Sequence, residues 1–247
     1  MNSNRKNTDV ETLRQVVNRL DPLGEPEAIL VHRCQAGITS KGECLLVLDA
    51  SYNPMTLAHE GIINAAKSIC GPKEVLLMLS RANVDKEIFG ADLGQRLSML
   101  LTYAHQHPDY SVAGCSHARF VDKALALIPH YPPGARLFFV IGYDTLERLF
   151  DHRYYKNMES DLDMLFGHAT IIVANRDHND KISIQARMEA PDVKPYTDGI
   201  NLIELPEELC RISSTHARTN IKQGIPIEGL VPGVISEAIQ RMGLYED

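Results

Sequence analysis

A chain of 247 residues, 44% of them hydrophobic, is long enough to bury one substantial core and needs no second domain to do so. A formal net charge of −7 excludes a general nucleic-acid binder, while leaving room for a small phosphorylated ligand in a local positive pocket. No apolar run reaches membrane-span length, the polar start Met1–Lys6 has no signal-peptide core behind it, and five scattered cysteines without a C-x-x-C pair fit reduced thiols, so a cytoplasmic or also nuclear protein is expected.

Residues 1–27 are polar except for an amphipathic segment, Val10, Leu13, Val16, Val17 and Leu20, which predicts a short helix. Pro22 to Pro26 turns the chain, Ala28–His32 reads as an extra edge strand, and Ala36 to Gly42 as a hairpin-like turn. Cys44–Asp49 lacks the alternation of a half-wet strand and reads as a buried parallel strand. Asp49–Pro54 breaks that pattern, and a helix is expected over 57–69, with Thr56 as its N-cap and Glu60 near its positive end. Glu74–Leu79 is the next strand, followed by the polar loop Ser80–Lys86 and a helix from Leu93 to His105. Tyr110–Ala113 reads as a strand, Phe120 to Ile128 as a helix, and Arg136–Ile141 as a strand feeding a helix through Phe150. Ala169–Ala174 and Ile200–Leu205 are further strands; the charged, proline-containing stretch 177–198 between them reads as an exposed loop. Ser213–Thr215 opens a helix to Lys222, and Pro232 starts a last amphipathic helix. The alternation of strand and helix predicts a doubly wound α/β domain with a mainly parallel sheet over 44–247, preceded by an N-terminal helix and edge extension over 1–43.

Three stretches are candidate sites. His59 lies in the first turn of a helix just beyond a strand's carboxyl end, where open α/β sheets bind anions and nucleotides. Taken alone, such a histidine is better explained as a hydrogen-bonding partner of its own loop. In Ile212–Arg218, the hydroxyl residues Ser213, Ser214 and Thr215 open a helix, and Arg218 follows Ser214 by one turn on the same face. A phosphate site and an ordinary capped helix account for that stretch equally well. In Gly142-Tyr143-Asp144 a glycine permits close approach and a carboxylate suits a ribose hydroxyl, though a simple turn explains it too. His105, His107 and His178 lack partners at ligand spacing, so no protein metal site is expected.

Thr56-Leu57-Ala58-His59 and Ile212–Arg218 resemble, in order and separation, the two signatures of the nucleotidylyltransferase superfamily, His-or-Thr-x-Gly-His and a late Ile-Ser-Ser-Thr-x-x-Arg. Within it the chain is most similar to the nicotinamide/nicotinate mononucleotide adenylyltransferases, in a divergent, fungal-type branch. Asp49–Pro54 stands for their Gly-Ser-Phe-Asn-Pro loop, Arg96–Leu100 for their Arg-x-x-Met-Leu helix, Ile141–Asp144 for their Gly-x-Asp segment, and Val231 to Tyr245 for their C-terminal ending. The resemblance runs from about 44 to 245. Ala50 and Ala58 replace family glycines, and the chain has no tryptophan to stack on the pyridine ring.

The resemblance implies a Rossmann-like nucleotidylyltransferase fold and an enzyme of NAD biosynthesis. It would move AMP from ATP to nicotinamide or nicotinate mononucleotide and release pyrophosphate. Mg2+ would arrive on ATP; neither nucleic acid nor membrane is a partner, and a homo-oligomer is left open. His59, Thr56 and Arg218 would act on the phosphates. Ser51, Tyr52, Gly142, Asp144, Asn175, Arg176, Ser213, Ser214 and Thr215 would complete the ATP site. Lys86 would reach the acceptor's phosphate, and Tyr154 or Tyr155 would supply the stacking ring. Alternatives are a relative using another phosphorylated acceptor, or an ATP-binding or ATP-hydrolysing regulatory protein that has lost transfer.

Overall fold

A computed structural model describes residues 9–82, 90–175 and 178–246. From the N-terminus these form α1 (Val10–Arg19), β1 (Ala28–His32), β2 (Cys44–Asp49), α2 (Leu57–Cys70), β3 (Glu74–Ser80), α3 (Leu93–Ala104) and β4 (Tyr110–Cys115). The second half contributes α4 (Phe120–Leu127), β5 (Arg136–Gly142), α5 (Tyr143–Leu149), α6 (Met158–His168), β6 (Ala169–Ala174) and α7 (His178–Met188). It ends with β7 (Ile200–Ile203), α8 (Glu207–Cys210), α9 (Ser214–Lys222) and α10 (Gly233–Met242).

The strands make one seven-stranded sheet in the order β1-β4-β3-β2-β5-β6-β7. Every pairing is parallel except β1 with β4, so the predicted edge strand closes the sheet antiparallel. Leu46 and Leu48 of β2 join one core layer with Ile63 of α2 and Leu97 of α3. Leu45 and Val47 join the other with Ala124 of α4 and Leu162 of α6. Helices on both faces bury both sides of β2, which is why its sequence shows no alternation. Chain order reverses between β2 and β5: β3 and β4 run outward on one side, β5 to β7 on the other. That reversal leaves a crevice at the carboxyl ends of these two strands, where open α/β sheets take ligands.

The N-terminal extension packs onto this framework. Leu13 and Val17 of α1 are buried in the core layer that holds α3. Arg14 donates to the Asp92 carboxylate, the N-cap of α3, over 3.0 and 2.7 Å. Arg81, just past β3, donates to the carbonyls of Val17 (3.3 Å), Asn18 (3.0 Å) and Leu20, placing a cation at the negative end of α1. At the opposite, amino end of β3 the buried Glu74 carboxylate accepts from Ile38 N–H (3.0 Å), Ser111 Oγ (2.6 Å) and Tyr131 Oη (3.0 Å). Among the described residues no helix is long and apolar enough to cross a membrane.

One expectation is corrected. The stretch 177–198 is not a loop: it contains α7 and a 3-10 turn over Lys194–Gly199. Its prolines, Pro191 and Pro195, lie beyond the end of α7 and leave that helix uninterrupted. Ile184 is buried and Met188 packs against the same core layer, while Arg187 pairs with Asp192 at 2.7 Å and with Glu147 of α5 at 3.3 Å, so a charged composition hides a helix held by few apolar contacts and by ion pairs. The helix α6, which buries Met158, Leu162 and Leu165, is a further element that the sequence reading left unassigned.

Candidate active site

The site is built on the loop 50–56 between β2 and α2. Tyr52 takes a left-handed backbone (φ 44°), and its fully buried ring donates its hydroxyl to Leu48 O at 2.6 Å. The tyrosine therefore anchors the loop to the strand it leaves, and burial raises its phenol well above the usual value. The Ser51 carbonyl accepts from Arg96 of α3 at 3.3 Å. Carbonyl and N–H point opposite ways across a trans peptide, so the Tyr52 N–H faces away from Arg96. The Asn53–Pro54 bond is cis.

Thr56 and His59 form a reciprocal capping box at the start of α2. The Thr56 backbone N–H donates to His59 Nδ1 at 3.0 Å, and Thr56 Oγ1 lies 2.8 Å from the same nitrogen. A nitrogen that accepts a backbone N–H carries no proton, so the neutral imidazole holds its proton on Nε2, as a donor turned away from the cap. The ring is half-buried and packs 5.3 Å from the Tyr52 ring.

The second motif meets the same loop. Ser214 Oγ donates to Pro54 O at 2.7 Å, and Arg218 donates to Asn53 O at 2.6 Å and to Thr215 Oγ1 at 3.1 Å. Ser213 is the N-cap of α9, accepting from His216 N–H at 3.1 Å. Asn53 and Thr56 are three residues apart, which limits the separation of the two motifs' anchor points to roughly 11 Å. The N-termini of α2 and α9 thus open beside one short loop, and helix N-termini favour anions. Two guanidiniums reinforce that field. Burial pulls the pKa of Arg218 below its usual value, and burial together with Arg218's charge does the same to Arg96, while Tyr245 opposes both shifts. Arginine keeps its charge through such shifts, so the loop is flanked by two cations.

The remaining expected residues divide. Gly142 is the N-cap of α5 at the carboxyl end of β5, the strand beside β2, and Asp144 is exposed in that helix's first turn. Asn175 is buried at the end of β6, where its Oδ1 accepts from Leu205 N–H at 2.7 Å, so this carboxamide braces the exit from β7. Ser51 and Tyr154 are exposed; Tyr155 is half-buried, with its hydroxyl donated to Leu149 O at 2.7 Å. Lys86 and Arg176 lie outside the described residues. Sequence reading gave no site role to Arg96 or Tyr245. The legible signal for Arg96 was an arginine on the inner, apolar face of α3, because a charge is rarely buried without a task.

A mainly parallel sheet whose switch point faces two converging helix N-termini and two arginines has the architecture of the nucleotide-binding α/β folds. Residues 47–220 match the cytidylyltransferase-like family, and the chain belongs to it. A Schizosaccharomyces pombe protein, whose name carries an inferred nicotinamide mononucleotide adenylyltransferase activity, is 36% identical over 138 residues. That alignment takes in 54% of this chain and 53% of the relative, so the chain spans about half of that relative's length. A Syntrophotalea carbinolica protein, named with an inferred nicotinate-nucleotide adenylyltransferase activity, is 25% identical over 81% of this chain and 95% of its own. The Plasmodium falciparum nicotinic acid mononucleotide adenylyltransferase complexed with NaAD superposes with a TM-score of 0.58 at 16% identity, covering 83% of this chain and 98% of that one, a likeness of fold.

Proposed function

We propose that this protein transfers the adenylyl group of ATP to nicotinamide or nicotinate mononucleotide, forming the dinucleotide and pyrophosphate. The observation that carries the reading is the convergence of Ser214 and Arg218 on the Asn53–Pro54 backbone, beside the Thr56–His59 cap. The named activities of the fungal and bacterial relatives support the choice of acceptor.

In the proposed reaction a phosphate oxygen of the mononucleotide attacks the α-phosphorus of ATP. The bond to the β-phosphate oxygen breaks in line, and pyrophosphate leaves. No covalent enzyme intermediate is needed, so the residues act by positioning the phosphates and neutralising charge as it moves onto their oxygens. His59 donates from Nε2 to the α/β-phosphate region, and Thr56 holds the imidazole in the tautomer that allows it. The Tyr52 N–H and the exposed Ser51 hold the oxygens between the two substrates. Ser213, Ser214, Thr215 and Arg218 receive the β- and γ-phosphates, and Arg218 offers the planar fork suited to them. Gly142 admits the nucleotide close to the backbone and Asp144 takes a ribose hydroxyl. Asn175 and Arg176 line the adenine side, Lys86 reaches the acceptor phosphate, and Tyr154 or Tyr155 stacks on the pyridine. Mg2+ enters with ATP, held by its phosphates and by waters, so the substrate of the proposed reaction is MgATP.

The test is incubation of the purified chain with MgATP and either mononucleotide, with chromatographic detection of the dinucleotide and a coupled assay for pyrophosphate. Dinucleotide with stoichiometric pyrophosphate is the expected result, and kcat/KM for the two mononucleotides ranks amide against acid. No dinucleotide from either acceptor would overturn the reading.

A further inference from the structure

Beneath the loop 50–56 lies a buried ion pair that the reaction above does not use. Asp49 is the last residue of β2, and its side chain is only 4% exposed. Its Oδ2 accepts from Lys123 Nζ at 2.6 Å and its Oδ1 from Ser80 Oγ at 2.7 Å. Lys123 belongs to α4, has a side chain 1% exposed, and lies with its ammonium 4.4 Å from the centre of the Phe120 ring. Asp49 continues the set Leu45 and Val47, which face the α4 layer, so β2 alternation calls for an apolar side chain at this position. Serving stability alone, the pair is a poor choice, because desolvating two charges offsets much of their attraction and an apolar replacement of equal volume is commonly as stable or better.

What the pair does have is location. Asp49 is paired with Met78 of β3, and Ser80 ends that strand, opposite Cys115 at the end of β4. One carboxylate therefore ties the carboxyl ends of β2 and β3 to the helix that follows β4. The next residue, Ala50, begins the loop, with its N–H on Met78 O at 3.3 Å. Tyr52 grips the same strand end from the opposite face through Leu48 O.

We infer that Asp49 and Lys123 are positioning residues: the buried pair holds the root of the phosphate loop so that its backbone donors and the His59 helix keep their geometry. Both side chains are almost fully buried, so they act through the loop and not on a substrate. The inference rests on the proposed activity only for its catalytic consequence. Fixing the loop chiefly serves interactions that strengthen in the transition state, so its loss falls on kcat rather than on KM.

The test compares the wild type with the double variant Asp49→Asn/Lys123→Met, which removes both charges together, and with Ser80→Ala, which removes only the neutral brace. Amide hydrogen exchange is read by peptide, and steady-state kinetics per folded molecule. In the double variant exchange is expected to quicken at least tenfold in peptides spanning 50–53 and to stay unchanged in those from β5 and β6; kcat falls at least tenfold with KM for ATP within twofold. Ser80→Ala moves both readouts the same way by a smaller factor, and it decides the matter if the double variant does not fold. Unchanged exchange over 50–53, or faster exchange with wild-type kcat, would overturn the inference. If the wild type itself makes no dinucleotide, the proposed reaction fails, and exchange alone decides whether the pair holds the loop.

Discussion

His59 has two separable jobs in this structure, and one substitution parts them. Its Nδ1 accepts from the Thr56 N–H at 3.0 Å, closing the N-terminus of α2, and Nε2–H, on the other side of the ring, is the donor proposed for phosphate. In asparagine, Oδ1 sits one bond from Cγ, as Nδ1 does in histidine, so His59→Asn keeps the acceptor for the cap and deletes the outer donor. Removing a preorganised donor aimed at developing charge costs roughly 10²–10³ in kcat, about 2.7–4 kcal/mol of barrier. A lost cap costs about 1 kcal/mol of stability, a shift of roughly 2–4 °C in Tm for a chain of this size. His59→Asn is therefore expected to melt like the wild type and to turn over at least a hundredfold more slowly, whereas His59→Ala loses both cap and turnover. Dinucleotide formation at saturating MgATP and mononucleotide, alongside thermal melts, reads the two effects. An asparagine variant with kcat within threefold of the wild type would reduce His59 to a helix cap and refute the assignment.

Three other outcomes follow from particular contacts. Arg218→Ala should raise KM for ATP at least tenfold while leaving the mononucleotide's within twofold; initial-rate kinetics with an unchanged ATP dependence would remove Arg218 from the phosphate site. Glu74→Ala leaves three buried donors without their acceptor and should lower the urea unfolding free energy by about 3 kcal/mol, yet leave activity per folded molecule intact, because Glu74 lies at the amino end of β3, away from the loop. Burial pushes the Cys70 and Cys115 thiols up to about 11. A raised thiol pKa means less thiolate at any lower pH, about one part in a thousand at pH 8, so both should resist iodoacetamide there and react only as pH approaches 11 or the chain unfolds. Rapid native labelling of either at pH 8, located by peptide mass, would contradict that.

The elements that the sequence determined by itself are those with a strong local pattern. The apolar runs of β2, β3, β5 and β6 need burial on both faces, and the hydroxyl residues at 56 and 213 mark helix starts, so strand order along the chain and the positions of the two candidate phosphate motifs were readable before any coordinates. The charged helix α7 escaped because its apolar contacts are sparse, with Ile184 buried and Met188 half-buried among its described side chains, and a weak stripe cannot be told from a loop without the surface it packs on. Tertiary structure alone decided what meets what. Ser214 lies 160 residues from Pro54, Arg218 165 from Asn53, and Lys123 74 from Asp49. No local preference encodes such separations. Only the order of strands in the sheet, set by burying both faces at once, brings them to one edge, where a shared loop turns isolated helix starts into a site.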